Sequence, residues 1–180
     1  RLSLVGSEMC IRDRVEVILE AMTKLDPALE ATFDIVGGGD QRKQLENLAT
    51  QLGIADRVTF HGRTTDEQLR ALLSRASVFT IASIAELQSI ATMEAMASAL
   101  PIVAADAVAL PHLVHDGENG YLFEPGNADA LAARLTDVLT ASPGEYARMQ
   151  QASLDGVAIH DINRTLDTFE ALYRDEPLPE

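Results

Sequence analysis

The feature that most constrains the fold is a regular alternation of short apolar runs with longer stretches of helical periodicity. Buried strands are predicted at residues 31–36, 58–60, 78–82, 102–105 and 121–123. Helices are predicted at residues 15–25, 40–52, 66–75, 129–139, 144–158 and 163–173, with a further helix after the third of these strands. Because the connections are short, this order predicts an α/β fold, a parallel sheet with helices on both faces.

A chain of 180 residues predicts one domain, at residues 15–175. Residues 1–14 show no clear helical or strand period and resemble translated adapter sequence, so we expect a non-native or miscalled start. The alternative is a genuine but divergent start. Pro177 and Pro179 predict a frayed tail at residues 176–180.

The net charge of −14 argues against nucleic acid as a partner, because nucleic-acid binding needs a basic face. It also argues against this segment being the part that binds an anionic membrane. No apolar stretch approaches the ~20 residues of a membrane span. Cys10 is the single cysteine and cannot form an internal disulfide, which is compatible with a reducing cytoplasm.

Four loops follow predicted strands, at residues 37–39, 61–65, 83–89 and 106–110. In an open parallel sheet the ligand binds outside the carboxyl ends of the strands. We therefore expect these four loops to converge on one edge and to form the binding site there.

Glu86 and Glu94 are the most informative polar residues, and they lie eight positions apart. Helical geometry would place them on roughly the same side, with Glu86 near the start of the helix. A helix start binds anions through free N–H groups. Glu94 lies in an otherwise apolar helix, where a ribose diol could satisfy a buried carboxylate; the alternative is a salt bridge or a solvated position. Together they favour a nucleotide-sugar ligand.

Other polar and glycine positions carry weaker signals. Three consecutive glycines beginning at Gly37 would allow a ligand to approach the backbone closely, or would simply form a tight turn. His61 is predicted to pack or to form a hydrogen bond. His112 and His115 have a spacing that could hold zinc, but we interpret them as surface residues of a connecting helix.

The pair Glu86-x7-Glu94, followed by Ala95-Met96-Ala97 and Leu100-Pro101, resembles the signature of retaining GT-B glycosyltransferases of family 4, the glycosyl transferases group 1. The resemblance runs from about residue 15 to residue 173 and includes the glycine run, the His-Gly motif and the segment 116–123. It implies the C-terminal donor-binding half of a GT-B fold, a Rossmann-like parallel sheet.

The resemblance also implies roles for individual residues. Glu86 would lie by the transferred sugar and the diphosphate as the catalytic residue, and Glu94 would bind the ribose hydroxyls. The other implied donor-binding residues are Gln88, the backbone N–H groups of Ser89 and Ile90, the glycines Gly37 and Gly38, and Arg63 and Thr64 at the nucleobase. Ser89 and Ala99 stand where relatives usually have glycine.

The implied activity is transfer of a hexose from a nucleoside diphosphate sugar to an acceptor hydroxyl, with retention of configuration and without a metal or other cofactor. The implied partners are the donor, a lipid, glycan or small-molecule acceptor, and a missing N-terminal domain, without which we expect no transfer. We expect a cytoplasmic enzyme, with the full-length form peripheral at the inner face of the membrane. The base, the sugar and the acceptor stay open. The alternatives are a sugar-nucleotide 2-epimerase-like domain and a non-catalytic nucleotide-binding module of the flavodoxin or receiver type.

Overall fold

The computed structural model describes residues 2–5 and 14–175. Within these residues, six parallel strands form one sheet in the order β3-β2-β1-β4-β5-β6. The strands are β1 Leu2–Val5, β2 Phe33–Val36, β3 Val58–Gly62, β4 Val78–Ile81, β5 Ile102–Ala105 and β6 Gly120–Phe123. This strand order is that of the Rossmann fold, in which the direction of winding reverses between β1 and β4. The predicted parallel α/β sheet is confirmed.

Seven α-helices connect the strands or follow the last one within the described ranges. They are α1 Val15–Lys24, α2 Arg42–Gln51, α3 Asp66–Leu73, α4 Ile90–Ala97, α5 Ala128–Leu139, α6 Pro143–Ala158 and α7 Ile162–Arg174. Helix α1 packs against α2 and α5, while α4 packs against α6. Short 3₁₀ turns occupy Pro27–Leu29, Ala55–Arg57 and Leu110–His112.

The core lies between the sheet and these helices. All four residues of β4 and of β5 are buried, which explains why both strands are mostly apolar, with Thr80 the one polar residue in them, rather than alternating. Ile18, Phe33 and Leu131 are fully buried in the same cluster. Tyr146 anchors α6 to the sheet, since its hydroxyl donates to the Ser77 carbonyl at 2.8 Å, and burial raises the pKa of that hydroxyl.

Side chains cap the starts of two helices. Thr65 caps α3 in a reciprocal box with Gln68, in which each side chain binds the other residue's backbone N–H. The Asn127 side chain accepts from the Ala130 N–H and caps α5. Gly53, at φ 71°, follows α2 in the left-handed conformation expected of a residue just past a helix end.

One prediction about the start of the chain is wrong. The sequence analysis placed no strand within residues 1–14, whereas the structure places β1 at Leu2–Val5, in the middle of the sheet. β1 pairs with β2 along its whole length and with β4 at Leu2 and Ser3. A four-residue run is too short to show a strand period, so pairing on both sides decides its conformation. Cys10 and the frayed tail at 176–180 lie outside the described residues.

Helix α4 ends in a motif that strains Ala99. The Leu100 N–H binds the Ala95 carbonyl and the Ala99 N–H binds the Met96 carbonyl, the two bonds of a Schellman motif. This motif places Ala99 at φ 57°, where glycine is usual because it lacks a Cβ.

We expect Ala99→Gly to stabilise the protein by about 0.5–1 kcal/mol. Glycine removes the strain of the left-handed conformation in the folded state, and this gain outweighs the larger conformational entropy that glycine gives the unfolded chain. Chemical denaturation measures the change. Ala147→Gly is the matched control: Ala147 is exposed within α6, and glycine there should destabilise by about 1 kcal/mol. A loss of stability in Ala99→Gly would contradict the strained end of α4.

Candidate functional site

Four loops lie at the carboxyl edge of the sheet, as predicted, because each of them follows a parallel strand. The Gly37 N–H donates to the Gly62 carbonyl at 2.9 Å, which joins the loops after β2 and β3. The Ala109 N–H donates to the Glu86 carbonyl at 3.3 Å, which joins the loops after β4 and β5. The two pairs of loops lie on either side of β1, so roughly 10 Å of sheet separates β2 from β4.

An open pocket of about 410 Å³ lies at the first pair of loops, lined by Gly38, Gly39, Asp40 and Arg63. A Cβ added to Gly38 would lie 3.8 Å from the Arg63 Cγ, so the two loops meet side by side. Gly37, at φ 128°, and Gly62, at φ 69°, turn the chain at this point. The structure thus brings Gly38 and Arg63 together, as the sequence analysis expected. Thr64 follows Arg63 and is half-buried.

The second pair of loops holds Glu86, which is half-buried. Helix α4 begins at Ile90, so residues 86–89 are not helical. The expectation that helical geometry places Glu86 and Glu94 on one side is therefore wrong. It assumed that the chain is helical from Glu86 to Glu94, but only the half from Ile90 onward is helical. Glu86 is instead positioned by its backbone, through the bond from Ala109.

Glu94 lies in the second turn of α4 and is exposed. The argument that a buried carboxylate needs a diol is thus wrong, and the alternative of a solvated helix position describes it better. The reason is that α4 buries Thr92, Ala95 and Met96 on one side only. Within the described ranges the Glu94 carboxylate has no hydrogen-bond or ion-pair partner, so it is available to a ligand.

The start of α4 is capped from within. The buried Ser89 hydroxyl accepts from the Thr92 N–H at 3.4 Å and lies 2.8 Å from the Thr92 hydroxyl. The Ile90 N–H points back to the Gln88 carbonyl at 3.2 Å. Ser89, which stands where relatives usually have glycine, therefore caps the helix with its side chain. To bind an anion, the Ile90 N–H would have to give up its weak hydrogen bond to the Gln88 carbonyl. The Gln88 side chain is exposed.

The loop after β5 forms one wall of this region. Val108 has φ 48°, which is a genuine outlier for a β-branched residue, and its side chain is exposed. Strained backbone of this kind is common at ligand-binding sites.

His61 forms a hydrogen bond, as predicted: its Nε2 lies 2.7 Å from the Asp34 Oδ1. His112 and His115 are exposed. No group of three or more His, Cys, Asp or Glu residues that could hold a metal occurs in residues 2–5 and 14–175.

The sequence analysis missed Asp40 as a pocket residue. It assigned Asp40 to the start of a helix, but α2 begins at Arg42, which leaves Asp40 in the loop that lines the pocket. The position of Asp40 directly after three glycines could have indicated that it belongs to the loop and not to the helix.

Fold and loops together define a doubly wound α/β domain. Domains of this class bind ligands outside the carboxyl ends of the strands, where the direction of winding reverses. The chain belongs to the glycosyl transferases group 1, because that family's model matches residues 9–154, more than half of the chain. Within that family the chain has the Rossmann-like parallel sheet of the GT-B fold.

Named relatives agree with this family. The chain is 38% identical over 136 residues to an MMP alpha-(1->4)-mannosyltransferase of Mycolicibacterium hassiacum, a match covering 75% of this chain and 33% of the relative. It is similar to the sucrose-phosphate synthase of Thermosynechococcus elongatus, with a TM-score of 0.86 and 27% identity over 97% of this chain and 45% of that one.

The fold also matches HepE of Anabaena, solved in complex with UDP and glucose, with a TM-score of 0.81 and 24% identity over 96% of this chain and 48% of that one. The chain spans about a third of the length of the curated relatives that it matches. None of the helices in the described ranges is both long and apolar enough to cross a bilayer.

Proposed function

We propose that this chain is the donor-binding part of a glycosyltransferase that moves a hexose from a nucleoside diphosphate sugar to an acceptor hydroxyl, with retention of configuration. The observation that carries the proposal is the presence of two pairs of joined loops at the carboxyl edge, one pair on each side of β1. One pair lines an open pocket at Arg63, and the other pair positions Glu86. About 10 Å between β2 and β4 suits a ligand with a base at one end and a sugar at the other.

In this proposal the pocket at Gly38 and Arg63 takes the base, and Glu94 accepts hydrogen bonds from the ribose hydroxyls. Glu86 lies beside the transferred sugar. The bond from the anomeric carbon to the diphosphate oxygen breaks, a bond to the acceptor oxygen forms, and the acceptor proton passes to the diphosphate. N–H donors of Ser89 and Ile90 would stabilise the negative charge that develops on the diphosphate.

The acceptor-binding surface and the remaining diphosphate contacts belong, in this proposal, to a part of the enzyme beyond this chain, which spans about a third of its relatives. The chain alone is therefore expected to bind nucleotide weakly and not to transfer sugar. The acceptor is a lipid, a glycan or a small molecule, and the enzyme acts in the cytoplasm, peripheral at the inner face of the membrane when complete. The donor needs no metal to bind.

The test is a titration of the 180-residue chain with UDP, GDP and ADP and with their glucose and mannose forms, followed by NMR. We expect saturable binding of one nucleotide, with shifts in the amides of residues 37–40, 62–64 and 86–94. Binding of none of these nucleotides would contradict the donor site. Sugar transfer by this chain to a generic acceptor would contradict the expected need for further chain.

A further inference from the structure

Asp34 and His61 form a pair of polar side chains that joins β2 and β3, and His61 lies two residues before Arg63 of the pocket. The His61 Nε2 lies 2.7 Å from the Asp34 Oδ1, and the two side chains are only 26% and 20% exposed. Because a carboxylate accepts hydrogen bonds, the imidazole Nε2–H is the donor. A charge-assisted bond of this length, largely shielded from water, is among the stronger kinds of hydrogen bond.

The pair spans an irregularity in the sheet. Asp34 lies opposite Thr59 and Ile35 opposite Phe60, but Val36 lies opposite Gly62, so His61 is the extra residue of a β-bulge. A bulge bends its strand and redirects the residues that follow, and bulges are over-represented next to active sites. The direction of residues 62–64 therefore depends on how the bulge at His61 is held.

Other contacts connect the bulge to the pocket. The Arg42 Nη2 donates to the Phe60 carbonyl at 3.1 Å, and the Gly37 N–H donates to the Gly62 carbonyl at 2.9 Å. Gly38 and Arg63, the next residues of the two loops, line the pocket. A shift of the bulge would thus change the spacing of the two loops directly.

We propose that Asp34 and His61 are positioning residues for the donor site: their hydrogen bond holds the bulge of β3, and the bulge sets the distance between the loops that receive the nucleoside. The pair does not touch the ligand. This inference rests on the proposed function, since it assigns the pocket to the nucleoside.

The test uses the full 180-residue chain and four variants. His61→Phe keeps a ring without the donor, and His61→Gln keeps a donor. Asp34→Leu with His61→Phe replaces both partners by apolar groups, which can restore stability without restoring the hydrogen bond. Asp137→Asn, which breaks the surface pair with Arg134 on α5, is the matched control.

Two readouts are measured: the dissociation constants of UDP, GDP and ADP, and the hydrogen-exchange rate of the Gly37 amide, which reports loop spacing without any nucleotide. For His61→Phe we expect about tenfold weaker binding and faster exchange of the Gly37 amide, and for His61→Gln near wild-type values. The double variant should recover the melting temperature but neither the affinity nor the exchange rate. Asp137→Asn should change neither readout.

The inference is overturned if His61→Phe leaves both readouts unchanged, or if the double variant recovers them together with the melting temperature. In that case the pair would only stabilise the sheet. If the wild-type chain binds none of the three nucleotides, the proposed function fails separately. The exchange rate of the Gly37 amide then still decides whether the pair positions the loops.

Discussion

Replacing Gly120 with alanine is expected to lower the free energy of unfolding by roughly 3–5 kcal/mol, a large part of the 5–15 kcal/mol typical of a domain. Gly120 opens β6 at φ 154°, and a Cβ there would lie 1.8 Å from the Ile102 carbonyl oxygen. Ile102 cannot withdraw, because it lies in β5 and its N–H binds the Asn119 carbonyl at 3.0 Å. Thermal unfolding should show a fall in melting temperature of about 10 °C or more.

The matched control for this substitution is Gly144→Ala. Gly144 lies in the first turn of α6, and a Cβ there meets no atom within 4 Å. Alanine should leave stability unchanged or raise it by about 0.5–1 kcal/mol, because it is the better helix former. If both variants melted at the same temperature, the close approach of β6 to β5 would be refuted.

Glu94→Ala is expected to weaken binding of the preferred nucleotide by about 10- to 100-fold, because a hydrogen bond to a charged group contributes about 1.5–3 kcal/mol. The substitution should leave folding intact, since Glu94 is exposed on α4 and alanine favours the helix. Isothermal titration of wild type and variant measures the ratio of dissociation constants, and circular dichroism checks that both melt at similar temperatures.

Glu20→Ala provides the control for charge. Glu20 is exposed on α1, as Glu94 is exposed on α4. The Glu20→Ala substitution therefore removes the same charge at a different place. We expect it to leave the dissociation constant within twofold of the wild-type value. An equal affinity of Glu94→Ala and wild type would remove Glu94 from the donor site. A similar loss in both variants would indicate a general effect of net charge.

Most of the fold could be predicted from the sequence because its local signals agree with its tertiary contacts. β4 and β5 are mostly apolar because both faces of the sheet are covered. Thr65 and Asn127 cap helices where their side chains reach the backbone. Ala99 was singled out as a departure from glycine, and the structure places it in the left-handed conformation that glycine favours.

Features that depend on pairing or on side-chain direction could not be predicted. β1 has no recognisable period, and its place in the sheet comes from two neighbouring strands that lie far from it in the chain. The exposure of Glu94 depends on how α4 rotates against the sheet, which its apolar composition alone does not reveal, because apolar residues also occupy its exposed side. The bulge at His61 requires the register between β2 and β3.

The central position of β1 bears on how this chain tolerates shortening. A chain that begins at Val15 would keep β2 with β3 and β4 with β5 and β6, but it would lose the strand that joins the two groups. Two rows of unpaired backbone N–H and C=O groups would then face water, and such rows invite pairing between molecules. Self-association, rather than a smaller soluble domain, is the expected product of trimming this terminus.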